Sequence, residues 1–199
     1  MLDTILGRPG SWMARILDAL ARALLRAGVG PDALTYTALA FGLAAAWSFY
    51  AGRHKLAFAV LLLSGLADAL DGRVARLGPG STPWGGVLDL TFDRVVEAAV
   101  LLGIALPHRH LHMPALVLAC TWYVNLCVFL AVGAASERSG GKLIQYPPGL
   151  LERTESLLFV LVVVIAPRLT VAAAYVYAGL EVVTAAQRFH HGRRALRDM

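Results

Sequence analysis

The segment DALDGRVARLGPGSTPWGGVLDLTFD, residues 68–93, sets four aspartates, Asp68, Asp71, Asp89 and Asp93, between two apolar runs of membrane-spanning length. Asp68 and Asp71 are three apart, so on a helix both carboxylates point the same way. Asp89 and Asp93 are four apart and do the same on the next helix. Gly78-Pro79-Gly80 breaks the first helix and turns the chain back, so the two pairs can face one another across one gap. Gly72 and Gly85-Gly86 remove side chains where the helices approach each other or a ligand.

The rest of the chain explains why such a segment is unusual. Of 199 residues, 58% are hydrophobic and only 16% charged, whereas soluble domains carry about 25% charge. The apolar runs are rich in Leu, Ala, Val and Gly without long alternation, which favours helices over a β-barrel. The fold class expected is therefore an all-α integral membrane protein, with six transmembrane helices preceded by an amphipathic interfacial helix. The interfacial helix is read at 11–27. Ile16, Leu17, Leu20, Leu24 and Leu25 share one face, Arg15, Arg22 and Arg26 lie toward the other, and Ser11 is the expected cap. The spans are read at 32–50, 55–76, 84–106, 114–135, 149–166 and from Pro167 to about residue 189. This divides the chain into an N-terminal segment at 1–30, a catalytic transmembrane domain at 31–190 and a short basic tail at 191–199.

Net charge is +5, and its placement matters more than its sum. With the N-terminus inside, only Arg53, Lys55, Arg109 and Arg168 of the 18 basic residues fall outside. That bias predicts both termini, and the aspartate-rich segment, on the cytoplasmic side. No basic and aromatic stripe or helix-turn-helix pattern supports a nucleic-acid partner. The N-terminus lacks the long apolar core of a signal peptide. Cys120 and Cys127 lie on one helix face, too far apart along it to bridge, and are expected to be small packing residues.

Four carboxylates at close quarters repel one another, and ionised groups near a bilayer core are costly. Either arginines (Arg73, Arg76 and Arg94 are adjacent) or divalent cations must compensate them. Oxygen-only ligands favour a hard ion such as Mg²⁺, Mn²⁺ or Ca²⁺ over zinc. Two such ions would balance four carboxylates, and paired hard ions serve phosphoryl chemistry. Spacing alone leaves salt bridges and a cation or proton pathway equally open.

The pattern Asp68-x2-Asp71-Gly72-x2-Ala75-Arg76-x8-Gly85-x3-Asp89-x3-Asp93 resembles, at every fixed position, the signature of the CDP-alcohol phosphatidyltransferases. The resemblance implies a phospholipid-biosynthesis transferase that moves a phosphatidyl group from a CDP-lipid, such as CDP-diacylglycerol, to the hydroxyl of a polar alcohol, releasing CMP. It implies that Asp68, Asp71, Asp89 and Asp93 are metal ligands for Mg²⁺ or Mn²⁺, two ions per site, with Asp93 also the catalytic base. Gly72, Ala75, Arg76 and Gly85 would bind CDP, with Arg76 meeting its diphosphate. A homodimer in the cytoplasmic membrane is also implied.

The acceptor is read from weaker signals. Asp93-Arg94, Gly149-x2-Glu152-Arg153-x-Glu155 and Thr184-x2-Gln187-Arg188 resemble patterns of the branch that uses inositol phosphate. Arg153 and Arg188, with Arg138, are thus the expected acceptor-binding residues, able to clamp a phosphate. The chain departs from that branch at Ala135-Ser136-Glu137-Arg138, where a Lys-x-Arg is usual; Arg138 can replace one base and Lys142 is a candidate for the other. Phosphatidylglycerophosphate synthase and other acceptors therefore remain alternatives, as does, from another class, a cation or proton transporter. Glu181, seven residues before Arg188 on the same face, could orient Arg188, bind the acceptor or be a structural polar group. His108, His110 and His112 read as a solvated loop, and Pro31-Asp32-x2-Thr35 resembles the family's Pro-Asn-x2-Thr opening.

Overall fold

The computed structural model describes residues 12–78, 80–138 and 153–197, apart from the side chains of 136–138, 153–155 and 195. Among these residues regular structure is all helical: α1 (Trp12–Arg26), α2 (Pro31–Tyr50), α3 (His54–Leu77), α4 (Pro83–Ala105), α5 (His112–Arg138), α6 (Arg153–Ile165) and α7 (Thr170–Arg197), with 3₁₀ turns at Arg109–Leu111 and Pro167–Leu169. The chain divides after Arg109 into two compact units, one holding α1 to α4 and the other α5 to α7.

Local chemistry sets the helix ends in the first unit. The α1 helix closes at Gly28, whose φ of 76° few other residues adopt; its N–H donates to the Leu25 carbonyl (3.0 Å) and that of Val29 to the Leu24 carbonyl (3.0 Å). Pro31 opens α2, where its missing N–H costs nothing. At the far side of the Gly-Pro-Gly break, the Thr82 hydroxyl accepts the Gly85 N–H at 2.9 Å and caps α4 ahead of Pro83. Ser11, the expected cap of α1, lies outside the described residues.

The α2 helix lies against both α3 and α4. Two glycines permit the approach to α4: a Cβ at Gly42 would collide with the Val96 side chain, and one at Gly103 with the Ala46 backbone carbonyl. Against α3, the buried Ser64 hydroxyl donates to the Ala38 carbonyl at 2.7 Å. The expected apolar face of α1 splits in two. Leu17, Leu24 and Leu25 pack with Val29 on a cluster of Ala21, Leu34, Leu70 and Val74. Ile16 and Leu20 instead join Trp12 in an exposed stripe at i, i+4 and i+8.

In the second unit, α5 and α6 each lie against α7. Tyr177 of α7 stacks on Phe159 of α6 (centroids 5.6 Å apart), meets the edge of Trp122 of α5 (6.2 Å), and shares a 2.7 Å hydrogen bond with Ser156. Cys120 and Cys127 are unbridged as expected, but both are exposed along α5 rather than packed.

Among the described residues, three stretches are long and apolar enough to cross a membrane: Pro31–Tyr50, Arg109–Ala135 and Pro167–Arg194. Only 11% of an 18-residue apolar window of the second, the most apolar, is buried within the molecule. A 27-residue apolar helix left so exposed fits a lipid environment, not water. The α3 and α4 helices fall short of that composition because they carry the acids and arginines of residues 68–97.

Candidate active site

Both packed on α2, the α3 and α4 helices bring three of the four expected acids together. One carboxylate oxygen from each of Asp68, Asp71 and Asp89 lies within 4.8 Å of the others. Asp93, one turn beyond Asp89 on α4, stands outside that trio, yet within electrostatic reach of Asp71 and Asp89. Asp71 is the buried member of the group, Asp68 is half-buried and Asp89 is exposed. The site is therefore graded from the protein interior toward its mouth.

Asp71 is held from a third helix. The Thr35 hydroxyl of α2 lies 2.7 Å from Asp71 Oδ2, to which it donates, and 3.1 Å from the Pro31 carbonyl. Thr35 was legible only as part of the Pro-Asp-x2-Thr opening; its bond to Asp71 depends on α2 crossing α3.

The adjacent arginines do not all serve these acids. Arg73 turns to α1, pairing with Asp18 at 2.5 Å and reaching the Ala14 carbonyl at 3.4 Å. Arg94 pairs with Glu97 at 2.7 Å, while staying within electrostatic reach of Asp89 and Asp93. With Arg73 committed to Asp18 and Arg94 shared with Glu97, the salt-bridge reading of the acidic cluster weakens. The trio suits a hard divalent cation instead. All donors are carboxylate oxygens gathered within 4.8 Å of one another, the donor type that hard divalent ions take.

Beside the acids, a cavity of about 400 Å³ is lined by Gly72, Ala75, Gly85, Asp71 and Asp89, together with Thr35, Asp32 and Thr82. Three of the four expected CDP-binding residues thus share one cavity with two of the acids. The fourth, Arg76, is exposed and folds back over Gly72, its Nη1 3.2 Å from where a Cβ there would sit. A Cβ at residue 72 would press on that guanidinium and require it to shift by a few tenths of an ångström. At Gly85 a Cβ would sit 3.1 Å from the Thr82 hydroxyl that caps the helix.

The expected acceptor residues fall in the second unit. The side chains of Arg138 and Arg153, and all of Lys142 and Gly149–Glu152, lie outside the described residues. Arg188 is described: its Nη1 donates to Asn125 Oδ1 at 2.8 Å, and its guanidinium lies over the Phe129 ring, 5.3 Å from the centroid. The Asn125 amide in turn donates to Glu181 Oε2. Glu181 therefore reaches Arg188 through Asn125, a residue the sequence did not single out.

An all-helical protein with membrane-length helices, a hard-ion carboxylate cluster and a glycine-lined cavity beside it has the parts of a metal-assisted phosphoryl-transfer enzyme. Comparison with known proteins agrees. The CDP-alcohol phosphatidyltransferase profile matches residues 29–187. The phosphatidylinositol phosphate synthase of Mycobacteroides abscessus is 36% identical over 191 residues, covering 89% of this chain and 83% of that protein. The crystal structure of Mycobacterium tuberculosis phosphatidylinositol phosphate synthase with CDP-DAG bound superposes with a TM-score of 0.72 at 31% identity, covering 89% of this chain and 94% of that one. The same enzyme in complex with manganese and citrate gives 0.71 at 30%, covering 88% of each.

The chain belongs to the CDP-alcohol phosphatidyltransferase family. It is a transferase that moves a phosphatidyl or other substituted phosphate group from a CDP-linked alcohol to a second hydroxyl, releasing CMP, as the 68–93 signature implied.

Proposed function

We propose that the chain transfers the phosphatidyl group of CDP-diacylglycerol to an inositol phosphate, forming a phosphatidylinositol phosphate and CMP. The observation that carries this reading is its 36% identity to a phosphatidylinositol phosphate synthase across 83% of that protein. Arg188, held at its edge by Asn125 and on its face by Phe129, supports a phosphorylated acceptor.

Each residue then has a defined task. Gly72, Ala75 and Gly85 leave room for the nucleotide along the cavity wall, and Arg76 meets the diphosphate. Asp68, Asp71 and Asp89, with Asp93, would hold divalent cations, Mg²⁺ or Mn²⁺ and two per site. Such ions neutralise the diphosphate and the charge that builds on departing CMP. Asp93 takes the proton of the acceptor hydroxyl. The acceptor oxygen bonds to the phosphatidyl phosphorus as the bond from that phosphorus to the oxygen of the CMP phosphate breaks. CMP leaves with the electron pair, and Asp93 later yields its proton to water. Arg188, Arg153 and Arg138 bind the acceptor's phosphate.

The surrounding architecture follows from the same reading. The α2 to α7 helices form six spans within a catalytic region at 31–190. The 1–30 segment carries α1 in the interface, with Trp12, Ile16 and Leu20 toward the lipid, and 191–199 forms a basic tail. Both termini and the acidic site face the cytoplasm, supported by the bias of the basic residues, and the protein works as a homodimer. A cytoplasmic site lets the diacylglycerol chains stay in the bilayer while the acceptor arrives from water.

The test is an acceptor panel: purified protein, CDP-diacylglycerol and Mg²⁺, with inositol 1-phosphate, glycerol 3-phosphate, inositol or serine. Lipid products are identified by mass. Inositol 1-phosphate should give the fastest CMP release and a phosphatidylinositol phosphate product. A faster reaction with glycerol 3-phosphate would replace that acceptor, an outcome tied to the missing Lys-x-Arg after α5.

A further inference from the structure

We infer that Asn125 is a positioning residue for acceptor recognition, which it serves by fixing Arg188 through a Glu181–Asn125–Arg188 relay whose first two members are buried. The inference rests on the proposal that Arg188 binds the acceptor phosphate, and it adds two residues that this proposal does not contain.

The polarity of the relay is set by chemistry. A guanidinium only donates and a carboxylate only accepts. Asn125 can satisfy both at once with one amide orientation, its carbonyl oxygen toward Arg188 and its NH₂ toward Glu181. Glu181 cannot do this alone. Seven residues of helix place its Cα about 10 Å along the axis from that of Arg188, and the amide from α5 fills the gap. Phe129 lies one turn beyond Asn125 on the same face of α5, so a single helix offers Arg188 an edge contact and a ring face together.

Burial makes the arrangement expensive. Asn125 is 7% exposed and Glu181 5%, both in stretches apolar enough to cross a membrane. Apolar residues of similar shape would fill such positions at little or no cost in stability. Ionisable groups within membrane helices mark functional sites by default. A guanidinium held in one orientation offers a phosphate its donors in a planar fork without first losing rotamer freedom. The relay thus serves affinity for the acceptor rather than the chemical step or the CDP-lipid.

Steady-state CMP release by the full-length protein, with inositol 1-phosphate varied at saturating CDP-diacylglycerol and then the reverse, tests this. Asn125→Ala should raise the acceptor KM on the order of 10-fold, the loss expected when a hydrogen bond to a charged group goes unmade. The KM for CDP-diacylglycerol and kcat should stay within about twofold. Adding Asn125→Ala to Arg188→Ala should change the acceptor KM no further, because the relay acts only through Arg188.

Should Asn125→Ala fail to fold, the double variant Asn125→Leu, Glu181→Leu replaces both polar groups by apolar ones of similar size. It should fold and still show the raised acceptor KM. An unchanged acceptor KM in that variant, or in Asn125→Ala while Arg188→Ala raises it, overturns the relay and leaves the role of Arg188 intact. An unchanged acceptor KM in Arg188→Ala overturns the phosphate-binding reading itself, and the inference with it.

Discussion

Asp71 shows what a single residue in this protein must satisfy. A buried carboxylate needs hydrogen bonds or a cation, and Thr35 supplies one bond to Oδ2 at 2.7 Å. Groups that orient metal ligands typically change metal affinity 10- to 100-fold when lost. Thr35→Val, which keeps the shape and removes the hydroxyl, should therefore raise the Mg²⁺ concentration for half-maximal CMP release about 10-fold. Unchanged metal dependence in that variant would show that Asp71 needs no support from α2. At this scale the sequence was informative where spacing along one helix decides geometry: the convergence of Asp68, Asp71 and Asp89 followed from i, i+3 spacing and a Gly-Pro-Gly turn. It was silent where partners are distant. Asn125 lies 56 residues from Glu181 and 63 from Arg188, so only the packing of α5 on α7 could join them. The destination of Arg73 was equally hidden, since α1 had to fold back onto α3 before Asp18 could claim it.

At the scale of elements, proline and glycine punctuate the chain so sharply that the expected helices start and stop within two or three residues of those observed from α1 to α4. What punctuation cannot report is how closely two helices approach. Gly103 read only as part of an apolar run, yet it meets the Ala46 carbonyl and so sets the approach of α2 to α4. Gly103→Ala would add about 1 kcal/mol of helix propensity. Against it stands a collision with backbone, which no side-chain rotation relieves and which costs about 1–3 kcal/mol. The collision should win. The variant should unfold at a lower temperature in detergent than the wild type; an equal or higher midpoint would mean that α2 and α4 can separate freely. The α1 helix teaches a related lesson. Its apolar residues read as one face, but two surfaces compete for them: Leu17, Leu24 and Leu25 pack inward, while Trp12, Ile16 and Leu20 stay exposed. Such a divided face suits a helix lying between protein and lipid.

At the scale of the whole molecule, the apolar composition announced a membrane protein, but among the described residues three of the six expected spans are plain from length and composition alone. The α3 and α4 helices are less apolar because the acids and arginines of residues 68–97 sit on them, so the charged cluster that defines the candidate site also obscures the topology. A reporter experiment resolves the six-span proposal. A green fluorescent protein fused after Met199 should fluoresce in the cytoplasm, and alkaline phosphatase fused at Arg109 should be active outside it. The opposite pattern at either position would overturn the proposed orientation.

The most direct measurement is metal-dependent CMP release from CDP-diacylglycerol and inositol 1-phosphate by the wild type and Asp93→Asn, each with Mg²⁺ and with EDTA. The wild type should be active only with the metal. Asp93→Asn should bind CDP-diacylglycerol yet turn over about 10²- to 10⁴-fold more slowly, the usual contribution of a general base. Full activity in EDTA, or in Asp93→Asn, would contradict a mechanism built on these four carboxylates.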